Sequence, residues 1–200
     1  MTSQVKSSVR DTRRRQTRER VFAAAFAEFK RAGMTGADVK SIAASAGVAH
    51  GTLFFHFPSK EHILVELVSR EEARLATQFA AFLEKRHELD SSLRKLVAMV
   101  TGLERRLGPI LFKELLASHF SPTRPVKDDW TDHPLIVLLV REIERAGCDG
   151  VLHPEVDAFY SATFFLLGVY GILTTTHDAA ARRIMLTKLV TTAVLGLGIR

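Results

Sequence analysis

The sequence predicts an all-α protein with a small helix-turn-helix head and a larger helical body. Three observations carry this expectation. Apolar residues recur at helical spacing, as Val21, Ala25, Phe26 and Phe29 do near the start. Gly, Pro and Asp punctuate the chain where helices would begin or stop, and no two stretches pair convincingly as strands. Residues 42–60, IAASAGVAHGTLFFHFPSK, compress a helical segment, a Gly-Val turn, a very short second helix and an aromatic exit into one window. That order suits a helix-turn-helix, whose second helix enters a DNA major groove.

The elements follow in order. Residues 1–10 are polar and read as a disordered basic arm. A helix is expected over 11–32, with Gly33 just past its last apolar position. Asp38 suits the N-cap of a second helix that ends near Ala46. Gly47-Val48 makes the turn, because glycine accepts left-handed backbone, and the short helix covers 49–55. Pro58 breaks it, and a long helix starts at Ser59 and runs to about His87. Asp90 caps a helix over 91–106, Gly108-Pro109 interrupts, and another reaches His119. Pro122, Pro125 and the pair Asp128-Asp129 mark 121–129 as a surface loop. The last helices are expected over 134–146, 154–176 and 178–197. The domains are then an arm, 1–10, a head, 11–58, and a body, 59–200.

Composition narrows the function. The apolar share of 46% supports a real core. The net charge of +6 is concentrated: residues 1–60 hold 11 Lys+Arg against 4 Asp+Glu, whereas 61–200 hold 17 against 18. A basic end on a neutral body is the footprint of a nucleic-acid binder. Cys148 is the sole cysteine, which excludes an intramolecular disulfide or a multi-cysteine zinc site and points to a reducing, cytoplasmic setting. The first 20 residues lack the apolar stretch of a secretory signal. Between Asp157 and His177 lie 19 uncharged residues, near the length of a spanning helix, but five Ser/Thr and two Tyr favour a helix buried in a core or subunit interface. No membrane partner, cofactor or metal is expected. His56 and His62 lack a third ligand at a recognisable spacing. With no G-x-S-x-G, Gly-rich phosphate loop or H-E-x-x-H, an enzyme is not expected.

Within the motif, Ile42, Ala46, Val48 and Leu53 face inward, leaving His50, Gly51, Thr52, Phe54 and Phe55 outward. Gly51 and Thr52 allow close approach to the duplex. His50 can donate to a guanine edge or a phosphate, and Lys40 can reach a base edge or the backbone. His56 and Lys60 lie past the short helix, where phosphate contact is expected. Arg13 and Arg14, with Arg15 and Arg18, crowd a helix start, where cations oppose the macrodipole unless an anion meets them.

The pattern resembles the TetR family of bacterial transcriptional repressors. Arg20-Val21, Ala24, Phe29, Gly33, Ile42-Ala43, Ala46-Gly47-Val48, Gly51-Thr52-Leu53 and His56-Phe57-Pro58-Ser59-Lys60-Glu61 stand in family-like order over roughly 17–67. The resemblance implies a three-helix DNA-binding head and a C-terminal ligand-binding and dimerisation domain. Its last two helices would form a homodimer, and the dimer would bind a pseudo-palindromic double-stranded operator until a small-molecule effector released it. Met99, Leu103, Phe112, Leu116, His119, Trp130, Leu138, Phe164 and Phe165 are the candidate lining of a mostly apolar effector pocket. Two departures stand out: Phe54 replaces the family's usual Tyr, removing a phosphate hydroxyl contact, and Asp38 replaces its usual Thr. They keep open an alternative, a helical ligand-binding or interaction protein whose DNA head has decayed.

Overall fold

The computed structural model describes residues 2–119 and 130–198, with side chains over 9–117 and 131–198. The described residues form nine α-helices: α1 Thr2–Gly36, α2 Val39–Ala46, α3 His50–His56, α4 Lys60–Leu83, α5 Leu89–Leu107, α6 Pro109–His119, α7 Pro134–Cys148, α8 Ala158–Thr175 and α9 Ala179–Leu197. A single 3-10 turn, Trp130–Asp132, precedes α7. No strand occurs among them, only an isolated antiparallel bridge between Leu152 and Gly198. The all-α expectation holds. The proposed loop over 121–129 lies outside the described residues.

The caps explain where several helices stop and start. Gly33 adopts φ 72 and ψ 166, which interrupts α1 where the sequence places its end. Asp157 and Asp178 cap α8 and α9 by accepting from the amides of Tyr160 and Ala181. The Asp157 cap starts α8 at Ala158, four residues later than the Pro154 start that the sequence suggests. One expectation is corrected at the other end. Residues 2–10, read as a disordered arm, continue α1 back to Thr2. This segment has no Pro or Gly to break it, so helical propagation from the ordered part carries through.

Two compact units divide the chain, Met1–Ser69 and Arg70–Arg200. The division falls inside α4 instead of at residue 58, because Ile63, Leu64, Leu67 and Val68 are buried apolar residues of the first unit. That unit closes around Val21, Phe22, Ala25, Phe29, Ile42, Leu53 and Phe57, with α1 packed on α2 and both on α3.

The second unit packs α7 on α8, α8 on α9, and α5 on α6 and α9. Its interior carries paired charges beside the apolar core. Glu104 on α5 accepts two hydrogen bonds from the Arg182 guanidinium on α9, at 2.8 and 3.0 Å. Glu142 on α7 accepts from Ser92 at 2.7 Å and from Arg145, which also donates to the His87 carbonyl at 2.6 Å. Burial pushes the Glu142 carboxyl up, but the hydrogen bonds from Arg145 and Ser92, with the Arg145 charge, outweigh it and hold the group below its ordinary value. Helix α8 is long and apolar enough to cross a membrane by length and composition, yet one face of it is core: Ala162, Phe165, Leu166, Val169, Tyr170 and Leu173 are buried.

Candidate nucleic-acid interface

The helix-turn-helix is assembled from local signals. The Asp38 carboxylate accepts from the amides of Lys40 and Ser41 at 3.1 Å each and from the Ser41 hydroxyl at 2.9 Å. These bonds, from Ser41 first, hold its carboxyl below the ordinary value. Gly47 takes left-handed φ 64 and ψ 41, and its amide donates to the Ala43 and Ala44 carbonyls. A residue with a Cβ is strained there, so the turn and the direction of α3 depend on this glycine. Leu53 and Phe57 then anchor α3 to the core at 2% and 1% exposure.

That anchoring turns the other side of α3 to solvent. His50, Gly51, Phe54 and Phe55 are exposed and Thr52 is half-buried. Phe55 is 67% exposed, with the Arg14 guanidinium 5.2 Å from its ring centre. His50 meets Phe54 edge-on at 4.9 Å. A methyl group on Gly51 would meet no heavy atom within 4 Å. Nothing inside the chain therefore requires glycine at this position, whereas a surface docking against α3 gains from it. Lys40 is exposed near the start of α2, and Arg13 is exposed on α1. Lys40, His50, Gly51, Thr52, Phe54, Phe55, Arg13 and Arg14 all remain available to an external partner.

Three residues read from the sequence as contacts for DNA do other work. The Lys60 ammonium donates to the carbonyls of Met34, Thr35 and Ala37, at 2.9, 3.2 and 3.1 Å. It closes the end of α1, where carbonyls lack helical partners. His56 is 9% exposed, and burial, with the charges of Arg14 and Arg18, lowers its pKa, so its ring is a neutral core group. Arg18 donates to the His56 carbonyl and to Glu66, and lies 4.0 Å over the Phe57 ring. It clamps α1 to the end of α3 and the start of α4. These partners lie 23 to 48 residues away, which is why spacing alone did not show them. Arg20 was missed as a candidate. It is exposed, and its guanidinium is 3.9 Å from the position a Cβ would take on Gly47, beside the turn. Its sequence signal was present in the basic run.

The body is less obliging to expectation. Met99, Leu103, Phe112, Leu116 and Phe165 are buried and Leu138 is half-buried. Phe164 is corrected: it is 66% exposed on the solvent side of α8, because Phe165 takes the core side. The side chains of His119 and Trp130 lie outside the described residues. Leu116 alone among these candidates lines a described cleft, one of about 430 Å³ between α6 and α8 that also holds Lys113, Leu167, Tyr170 and Thr174. Burial first, and then the Glu72 charge, push the Tyr170 phenol well above its ordinary pKa, so it stays a neutral hydroxyl.

Comparison with known proteins agrees with this geometry. Residues 21–67 match the family described as bacterial regulatory proteins, tetR family. Over that span, the head of the molecule is similar to the DNA-binding part of the TetR family. The matched span covers the end of α1 through the first turns of α4, the part that positions α3. Along more of the chain, the HTH-type transcriptional regulator UidR of Escherichia coli is 25% identical over 163 residues, 81% of this chain and 82% of that protein. The HTH-type transcriptional repressor KstR of Mycobacterium tuberculosis is 38% identical over 61 residues, covering 30% of this chain and 28% of that protein. The solved structure of the Thermus thermophilus repressor FadR, in complex with lauroyl-CoA, aligns with a TM-score of 0.68 at 24% identity. It covers 92% of this chain and 96% of its own. The shared fold extends beyond the head.

Proposed function

We propose that the chain is a transcriptional repressor that binds a pseudo-palindromic operator as a homodimer and leaves it when a small effector binds the body. The observation that carries this reading is the outer face of α3. Leu53 and Phe57 hold the helix down, while His50, Gly51, Phe54 and Phe55 face outward, flanked by Lys40, Arg14 and Arg20. An exposed short helix edged with cations suits insertion into a major groove, with the flanking charges on phosphates.

Dimerisation has its own support. Tyr160 and Phe164 on α8 and Ile184, Met185 and Leu195 on α9 are large exposed apolar residues on the last two helices. Apolar surface gathered in this way favours a partner surface over water, and a second copy supplies a self-complementary one. The two copies of α3 would then address half-sites about 34–36 Å apart or a multiple of that. For the effector, the cleft between α6 and α8 offers Leu116 and Leu167 with the Lys113 ammonium beside them, suited to a mostly apolar molecule with a polar group. The FadR structure is named as a complex with lauroyl-CoA, so a protein of this fold accommodates a small ligand. Release requires that the effector bind the off-DNA form of the dimer more tightly than the operator-bound form. The setting is the cytoplasm, where operator DNA lies.

A mobility-shift titration with DNA flanking the gene tests the reading. We expect a sequence-preferring complex that weakens steeply with salt, and sedimentation of a dimer that Phe164→Glu converts to monomer. No preference over random DNA rejects the regulator; a wild-type monomer rejects the dimer.

A further inference from the structure

The body contains a second recess, a groove of about 500 Å³ between α5 and α9. We infer that it binds an amphipathic oxyanion, a carboxylate or phosphate headgroup on an apolar chain. The groove lies wholly within the second unit, and the inference does not depend on what the head binds.

The argument is one of subtraction. The apolar part of the wall includes Leu186 and Val190, both buried, with Val97 and Ala98 beside them. Its hydroxyls are committed: Thr101 donates to the Val97 carbonyl at 2.8 Å and Thr187 to the Arg183 carbonyl at 2.9 Å. Its carboxylate, Glu104, is neutralised by the two bonds from Arg182. Arg94 is held by Asp90 through two bonds of 2.7 and 2.9 Å. Two charged groups of the lining are left, Arg105 on α5 and Arg183 on α9. Both are exposed, and neither has an ion pair or side-chain hydrogen bond among the described residues.

The recess therefore offers apolar surface and two uncommitted guanidinium groups, one from each wall, and lacks only negative charge. A guanidinium binds a carboxylate or phosphate through parallel N–H···O bonds that an alcohol cannot match. The volume falls within the range of about 300–1,000 Å³ usual for small-molecule sites. Charge complementarity selects the headgroup, and the Leu186–Val190 surface selects the chain that follows it.

Calorimetric titration of the purified full-length protein tests this, with decanoate, decyl phosphate, decanol and inorganic phosphate as probes, each amphiphile below its micelle concentration. Decanoate or decyl phosphate should bind once per chain, and the tighter of the two identifies the headgroup. Decanol and inorganic phosphate should each bind at least about tenfold more weakly, since each lacks one half of the recognition. Arg105→Gln and Arg183→Gln remove side chains that hold nothing else in place, so circular dichroism should be unchanged. Each should weaken anion binding about tenfold, and the double variant should bind decanoate no better than decanol. The proposal is overturned if neither anion binds the wild type. It is equally overturned if decanol matches decanoate, or if the double variant binds decanoate as tightly as the wild type, which would place the ligand elsewhere.

Discussion

Replacing Lys60 by methionine separates two roles that one ammonium can play, closing α1 or gripping a phosphate. Methionine keeps the apolar stem and removes the three donors to Met34, Thr35 and Ala37. A hydrogen bond from a charged group contributes about 1.5–3 kcal/mol. The bonds to Met34 and Ala37 are partly buried and the one to Thr35 is exposed, so solvent reduces the total to about 2 kcal/mol. That is about a 30-fold increase in the equilibrium constant for opening the head. The assay must see the head itself. Trp130, Tyr160 and Tyr170 all lie in the second unit, so intrinsic fluorescence is blind to it, whereas hydrogen exchange of α1 and α2 amides reports it directly. We expect faster exchange there and an unchanged salt dependence of operator binding. The reasoning is refuted if exchange stays the same while the slope of log K against log salt shrinks by about 0.9, the signature of one lost phosphate contact.

Three more outcomes follow from the same geometry. Phe54→Tyr adds a hydroxyl to an exposed residue on the outer face of α3, and one new hydrogen bond of about 1 kcal/mol should tighten operator binding about fivefold; no gain in a gel-shift titration would mean that no phosphate lies within reach. His56 has its pKa lowered by burial and by Arg14 and Arg18, so the unfolded chain binds the proton more readily. Head stability should thus fall as pH drops below about 6.5 and level off below the folded pKa. Hydrogen exchange across that window should show this dependence, and His56→Gln should flatten it. Glu142 has a lowered folded pKa, so its stabilisation is full above the unfolded carboxyl value and is lost as pH falls through the folded one. Acid unfolding followed by circular dichroism should show this, and Glu142→Gln should lower stability near neutral pH while reducing the acid sensitivity.

Much of the fold was legible because it is written in short-range chemistry. Asp38, Gly33, Gly47 and Asp178 act on backbone within a few residues, and their identities alone imply caps and turns. The outer face of α3 follows from the periodicity of a short helix once Leu53 is taken as inward. The body was harder, since its helices carry apolar residues on more than one face. Phe164 and Phe165 are adjacent and chemically identical, yet one is exposed and the other buried. Periodicity cannot separate them without knowing where the neighbouring helix lies.

By itself, the sequence determined an all-helical chain with a basic helix-turn-helix head and the residues that end most helices, because caps, turns and amphipathic spacing act locally. Tertiary structure alone decided which cations remain free for a partner. Lys60, Arg18 and His56 looked equivalent to Lys40 and Arg14 in the sequence, but long-range contacts withdraw them into the head. It also isolated Arg105 and Arg183 beside an open groove by pairing Arg94 and Arg182 with acids. A charge's availability depends on what the fold brings within about 3 Å of it, and no spacing along the chain encodes that.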